Sequence, residues 1–428
     1  MRSIRRLPSR ALVVRSRPFG VLWLGQLLSG AGDWLLLVAV PLYVFRLTRS
    51  ASDAGLAFVA EVTPLLFLGP VAGVFSDRWP RRHVMIVADL LSSASVGMML
   101  LASARSELWL LLTAVFAENA FCTFFSPACA GLVPAIVGRG SDLAVANSWF
   151  AASGGIQRLA AAPLGGALYA VGGFRLPAAA DAASYLASAL LVALIGRTPA
   201  AGTQPSGQRG LTAFVSELQH GLASLARNST LRLMLAASSL FLFGNAALTA
   251  LFVPYVVAGL HMRPGRIGEL FSALGAGYLV STVTGRAAGK SYRLRAYAST
   301  LLWLVTVAFA GFLAFRSFWA AAAFLALAGL AGGSFLQLQG TTLQRNAPDH
   351  LIGRISAAYS SITMATTLIG ALLAAITVNW IGRTETMAFA ITAIGCGATA
   401  ALLLPARRAS AAELLPGAES VTSAVKDR

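Results

Sequence analysis

Charge is scarce in this sequence. Only 11% of its 428 residues are Asp, Glu, Lys or Arg, against about 25% in an ordinary soluble domain. Acids are fewest, 16 against 33 Lys and Arg, for a formal net charge of +17. A chain this poor in charge cannot clothe a water-exposed surface, which excludes a soluble enzyme and a disordered protein. Cysteine is almost absent. Cys122, Cys129 and Cys396 stand in apolar runs with no CxxC pair, so neither a disulfide framework nor a thiolate metal site is indicated. The histidines, His83, His220, His261 and His350, are scattered over separate loops. No metal and no cofactor is expected. The apolar run after Phe19 is too long for a signal-peptide core.

What fills the chain is apolar residue, 57% of it, with a mean hydropathy of +0.72. A bilayer crossing takes about 20 mostly apolar residues. The pattern predicts twelve spans, near 20–44, 54–76, 83–104, 108–131, 143–172, 178–196, 232–258, 267–289, 296–315, 318–343, 355–381 and 385–404. Backbone groups in lipid must bond internally, so the spans are read as helices. The fold class expected is an all-α integral membrane protein. Residues 1–19 form a basic arm, 20–196 a first six-helix bundle, 197–231 a linker, 232–404 a second bundle and 405–428 a tail.

Twelve spans place both termini on one side. The opposite loops carry Arg46, Arg49, Arg105, Arg175, Arg263, Arg266, Arg316 and Arg383; every other Arg and Lys except Arg158 falls on the terminal side. That asymmetry puts both termini in the cytoplasm of a cell inner (plasma) membrane protein, and it accounts for the positive charge without nucleic acid. In the linker, Leu211, Phe214, Val215, Leu218, Leu222 and Leu225 recur at helical spacing and predict an amphipathic helix on the cytoplasmic membrane face.

The two halves repeat. Gly73-Val-Phe-Ser-Asp77-Arg78-Trp-Pro-Arg81-Arg82 lies between spans 2 and 3, and Gly285 to Arg293 occupies the matching place between spans 8 and 9. Two pseudo-symmetric six-helix bundles form a secondary-transporter architecture. The first segment resembles the signature loop of the major facilitator superfamily. Phe125-Ser-Pro-Ala, Ala146-Asn-Ser and Gln344-Arg-Asn-Ala-Pro-Asp resemble its exporter branch, which includes macrolide-efflux and enterobactin-exporter-like proteins. Ala162-Pro163-Leu-Gly165-Gly166 is similar to the Gly-Pro-rich antiporter motif of the superfamily's exporters. The resemblance implies a twelve-helix fold and alternating access. It assigns Gly73, Asp77, Arg78, Arg81 and Arg82 to conformational gating, and Pro163, Gly165 and Gly166 to close helix packing.

A charge at mid-span costs about 2.5–3.5 kcal/mol on insertion scales and tends to be functional and paired. Asp33, Glu118 and Arg158 stand at mid-depth in spans 1, 4 and 5. They are expected to form one proton-coupling cluster, with Arg158 moving between the two acids. Substrate contacts are expected from Gln26, Glu61, Asn119, Asn245 and Gln337, and Asp89 is read as a partner of the basic loop. The function expected is a proton-coupled exporter of amphipathic organic molecules such as drugs or siderophores, working as a monomer in the lipid bilayer. An importer or symporter, a lysolipid transporter and a lipid-modifying membrane enzyme are the alternatives.

Overall fold

The computed structural model describes residues 16–138, 140–196, 211–288, 294–348 and 351–404. Every regular element among the described residues is helical. The first half holds α1 (Arg17–Thr48), α2 (Ala51–Arg78), α3 (Arg81–Met99), α4 (Leu108–Val137), α5 (Ser141–Ile156), α6 (Ala162–Gly172) and α7 (Arg175–Leu194). After α8 (Leu211–Arg227), the second half holds α9 (Ser229–Ala258), α10 (Pro264–Ala288), α11 (Leu294–Ala314), α12 (Phe318–Asn346), α13 (Ile352–Ile381) and α14 (Arg383–Ala401). Among the described residues, eight helices are long and apolar enough to cross a membrane by length and composition alone. With α3, the α5–α6 pair, α10 and α14 they make twelve rods in two bundles of six.

Local chemistry sets the helix ends. Ser50 caps α2, its hydroxyl accepting from the Asp53 N–H at 3.2 Å, and Asn228 caps α9 by accepting from the Leu231 N–H at 3.1 Å, each satisfying a first-turn donor. The fifth span, read from sequence as one helix, is broken. A π turn over Gln157–Ala161 separates α5 from α6. Pro163 follows it at the start of α6 and has no N–H to give the Leu159 carbonyl, a recognised cause of such distortion. The hydroxyl of Ser272 on α10, with one hydrogen to give, lies 3.3 Å from that carbonyl and 3.0 Å from the Gly268 carbonyl of its own helix.

The same packing pattern recurs in both halves. In the first, α1 packs on α7, α2 on α4, and α3 on α4 and α7; in the second, α9 packs on α14, α10 on α12, and α11 on α12 and α14. Small residues permit the closest crossings, as between membrane helices generally. A side chain at Gly329 would strike the Leu274 carbonyl of α10, and one at Gly277 the Ala326 carbonyl of α12. The linker helix α8 docks on the second half. Leu225 is buried with Leu231, Ala347, Ile355, Ala358 and Tyr359, and Leu218 packs against them. Leu222 is exposed, while the side chains of Leu211, Phe214 and Val215 lie outside the described residues.

The halves meet along two seams related by the pseudo-symmetry, α2 with α13 and α6 with α10. Contact lies at the end remote from α8: a Cβ at Gly55 would sit 3.0 Å from the Ala375 Cβ. Toward the α8 end of α2, a Cβ built at Gly69 or Gly73 meets nothing within 4 Å.

Overpacking a close crossing costs about 1–3 kcal/mol. Gly329→Val is expected to lower the melting temperature in detergent by several degrees, measured by thermal unfolding. Gly97→Ala, at a position where an added Cβ meets nothing, should leave it unchanged.

Candidate functional site

Four side chains from three helices converge at mid-depth in the first half. The Tyr185 hydroxyl of α7 lies 2.6 Å from Asp33 Oδ1 of α1 and 3.0 Å from Glu118 Oε1 of α4. Cys122 Sγ, one turn on from Glu118, is 3.0 Å from the same oxygen. Ser92 of α3 closes the group, its hydroxyl donating to the Glu118 backbone carbonyl at 3.4 Å and lying 3.5 Å from Cys122 Sγ. Glu118 is 5% exposed and Tyr185 2%, whereas Asp33 is exposed and lines a cavity. One acid thus faces open space and the other is sealed behind the phenol.

Counting hydrogens constrains this group. A phenol has one O–H to donate, yet three neighbours stand within bonding reach of it. At most one of the three contacts is Tyr185 donating; each of the others needs a neighbour's hydrogen, from a carboxyl O–H or the thiol. The donor atoms of Asp33, Glu118 and Cys122 lie within 4.8 Å of one another, a spacing that would admit a cation. The Tyr185 oxygen is itself within bonding reach of all three, so the structure centres the group on a hydroxyl.

The cavity, about 660 Å³, is lined from α1, α3, α4, α5 and α7. On α1, Gln26, Ser29 and Asp33 line the cavity. Gly30 leaves room for Gln157, whose Nε2 donates to the Gln26 and Leu27 carbonyls at 3.0 and 3.1 Å. Asp89 also lines the cavity. It is 2% exposed, and its Oδ2 has no hydrogen-bond partner among the described atoms. The expected role of Asp89 beside the basic loop is not what the structure places there.

Other expected residues lie apart from the cavity lining. The Asn119 amide donates to its own helix at the Val115 carbonyl, 3.0 Å. Gln337 donates to Ser281 at 3.2 Å, tying α12 to α10. Glu61 is half-buried on α2, and Asn245 is half-buried on α9. The side chains of Arg158 and Asp77 lie outside the described residues; the Arg158 backbone is in the π turn. Arg78 is exposed at the end of α2. Arg81 donates to the Gly131 carbonyl of α4 at 2.6 Å. Arg82 reaches the last turn of α7, donating to the Val192 carbonyl at 3.2 Å and to the Ala193 carbonyl, where helix carbonyls lack partners. Both arginines therefore brace the first half internally.

The Pro-Gly-Gly segment forms the remote seam. A Cβ at Gly165 would lie 2.8 Å from the Leu35 carbonyl oxygen of α1, one at Gly166 3.1 Å from the Gly268 nitrogen of α10, and one at Gly268 2.6 Å from Pro163 Cα. Backbone meets backbone between the two halves, and α6 is wedged between α1 and α10.

Twelve rods in two like halves, with a cavity inside the first, match a transporter architecture. The chain belongs to the Major Facilitator Superfamily, which it matches over residues 22–362. It is 24% identical over 382 residues to macrolide efflux protein A of Streptococcus pyogenes, covering 88% of this chain and 93% of that one. It is 28% identical over 407 residues to the multidrug efflux pump Tap of Mycobacterium tuberculosis, covering 91% and 94%. A bacterial homologue of the iron transporter ferroportin in an inward-facing state superposes with a TM-score of 0.68 at 17% identity, over 91% of this chain and 97% of that one. A bacterial homologue of the human lysosomal transporter Spinster, inward-facing and unoccupied, gives 0.70 at 14% identity, over 93% and 97%. These two structures share the fold.

The seam should yield to bulk. Gly268→Leu is expected to force α6 and α10 apart and favour opening at the remote end. In that background a cysteine at Ser272 should react faster with a membrane-impermeant maleimide added from the remote side than in the Gly268 protein.

Proposed function

We propose that the chain is a proton-coupled exporter of amphipathic organic molecules, working by alternating access. One observation carries the reading: a single phenol, Tyr185, within bonding reach of an acid that faces the cavity and an acid that does not. A proton donated by Tyr185 to one carboxylate is replaced by a proton accepted from the other, so the hydroxyl relays between Asp33 and Glu118 as their surroundings change. Arg158, one residue beyond Gln157 in the π turn, is proposed to bias which acid stays charged. The efflux names of the relatives support the outward direction. The positive-inside asymmetry supports a cytoplasmic α8 end. The protein is taken to work as a monomer in the plasma membrane, with the division of the chain read from its sequence.

The test is transport in inverted vesicles with an imposed pH gradient, run over a panel of amphipathic substrates. Tyr185→Phe removes only a hydroxyl. It is expected to lower gradient-driven uptake by at least about tenfold, the effect of about 1.4 kcal/mol, while substrate exchange without a gradient persists. Asp33→Asn and Glu118→Gln should do the same. Uphill transport at the normal rate in all three variants would overturn proton coupling at this group.

Gating is assigned to the loop between α2 and α3. Asp77 is proposed to accept from free N–H groups at the start of α3 when the cytoplasmic end closes, with Gly73 giving α2 room to approach the second half. Several such contacts worth about 2 kcal/mol together would shift populations roughly 30-fold. Asp77→Asn keeps every positive charge. It is expected to insert normally, to transport weakly and to leave cytoplasmic-side cysteines more reactive, read by maleimide labelling.

A further inference from the structure

One buried acid of the first half has no part in the relay described above. Asp181 of α7 is fully buried. It stands one turn before Tyr185 on the same helix face, and the cavity lining includes Tyr185 but not Asp181. Its carboxyl packs on α1 beside Asp33, where a Cβ at Gly32 would strike Oδ1. The Ser184 hydroxyl lies 3.2 Å from Oδ1 and 2.7 Å from the Asp181 carbonyl, and Oδ2 has no partner among the described atoms. Ser184 has one hydrogen to give, and the carbonyl is the nearer acceptor. A bare carboxylate would then be left almost without donors, a costly state away from water. Each donor has an acceptor if Asp181 carries a hydrogen on Oδ1 and gives it to the Ser184 oxygen.

The titratable groups around Asp181 come from several helices. Asp33 of α1, Glu118 of α4 and Tyr185 of α7 itself interact with its charge. Asp89 of α3 lies by Ser188, two turns further along α7, and Tyr169 of α6 lies toward Arg46. Arg158 is described by its backbone alone, in the π turn. Depth separates Asp181 from the two acids of the relay. It is six residues from the remote end of its helix, about 9 Å, against ten residues or about 15 Å for Glu118 and fifteen or about 22 Å for Asp33.

We propose that Asp181 is the remote-side proton acceptor of this protein, the group that loads the Tyr185 relay. The role rests on the proton-coupled reading and names where the proton enters. Water admitted as the remote seam parts reaches Asp181 before Glu118 or Asp33. The carboxylate takes one proton there. The carboxyl then gives it to the Tyr185 oxygen while the phenol hydrogen passes to the carboxylate of Glu118 or Asp33. One proton has entered, one acid of the relay is neutral, the phenol is restored and Asp181 is a carboxylate again. With the seam closed, as in the structure, Asp181 holds its hydrogen.

Inverted vesicles, whose lumen is the remote side, test it. Uptake of erythromycin, tetracycline and ethidium is measured at fixed external pH while the luminal pH is varied, and exchange of the same molecules is measured without a gradient. Wild-type uptake should rise by up to about tenfold for each unit of luminal acidification, the change in protonated fraction that one unit brings. Asp181→Asn keeps the size of the side chain. Its uptake should change by less than about twofold over that range, with exchange preserved. Gly32→Ala leaves the acid and the phenol in place but drives the carboxyl off α1; it should shift the luminal pH of half-maximal uptake by about one unit. A wild-type luminal response in Asp181→Asn, where Tyr185→Phe has lost it, overturns this role alone. Equal loss of driven uptake and of exchange in Asp181→Asn marks a structural role and overturns it too. If Asp181→Asn is not monodisperse by size exclusion, Gly32→Ala decides, and an unshifted midpoint overturns the role. No luminal response in the wild type overturns the proton-coupled reading and this role with it.

Discussion

One hydrogen on one oxygen governs the centre of this protein. Tyr185 can donate once, and it stands between two carboxyl groups and a thiol that all lie within reach. Water cannot settle the account for Glu118, which is sealed. The protonation of the group is therefore tied to its geometry. A shift of α1 against α4 or α7 changes which acid the phenol can serve. The helices that carry the group pack on one another, α1 on α7 and α3 on both α4 and α7, so packing holds the bonding distances steady while one acid remains open to the cavity.

The rest of the fold arranges access to that centre. Small residues bring α2 against α13 and α6 against α10 at one end, so the two halves are held there by close backbone approach. Arg81 and Arg82 secure α4 and α7 to the start of α3 by their backbone carbonyls. The first half can then turn as a unit, with its polar core carried along intact. Helix α8 is attached to the second half through Leu225, so the connection between the halves moves with the second one.

Much of this was legible in the sequence. Long apolar runs marked most spans, and the repeated loop marked the two halves. The acids at mid-depth, Asp33 and Glu118, stood out because charge is expensive there. Tyr185 did not, since a tyrosine in an apolar helix reads as packing and its partners come from two other spans. Cys122 did not stand out either, since it lies in an apolar run with no CxxC pair. Asp89 was misassigned because nearness in sequence to Arg81 and Arg82 was taken for nearness in space; a helix carries it inward while both arginines reach backbone carbonyls elsewhere. Gln337 was read as a substrate contact; its bond to Ser281 on another span is the part that sequence could not show. The π turn was hidden too: Pro163 was visible, but the partner that receives the freed carbonyl lies more than a hundred residues away.

That partner is a hydroxyl with two claimants. Ser272 has one hydrogen to give, with the Gly268 carbonyl of its own helix at 3.0 Å and the Leu159 carbonyl of the other bundle at 3.3 Å. Pro163 cannot supply the usual helix bond to Leu159, so a small shift of α6 against α10 is enough to pass the hydrogen from one half to the other. A chimera joining this first half to the second half of a relative keeps that exchange only where the graft brings a hydroxyl at the place of Ser272.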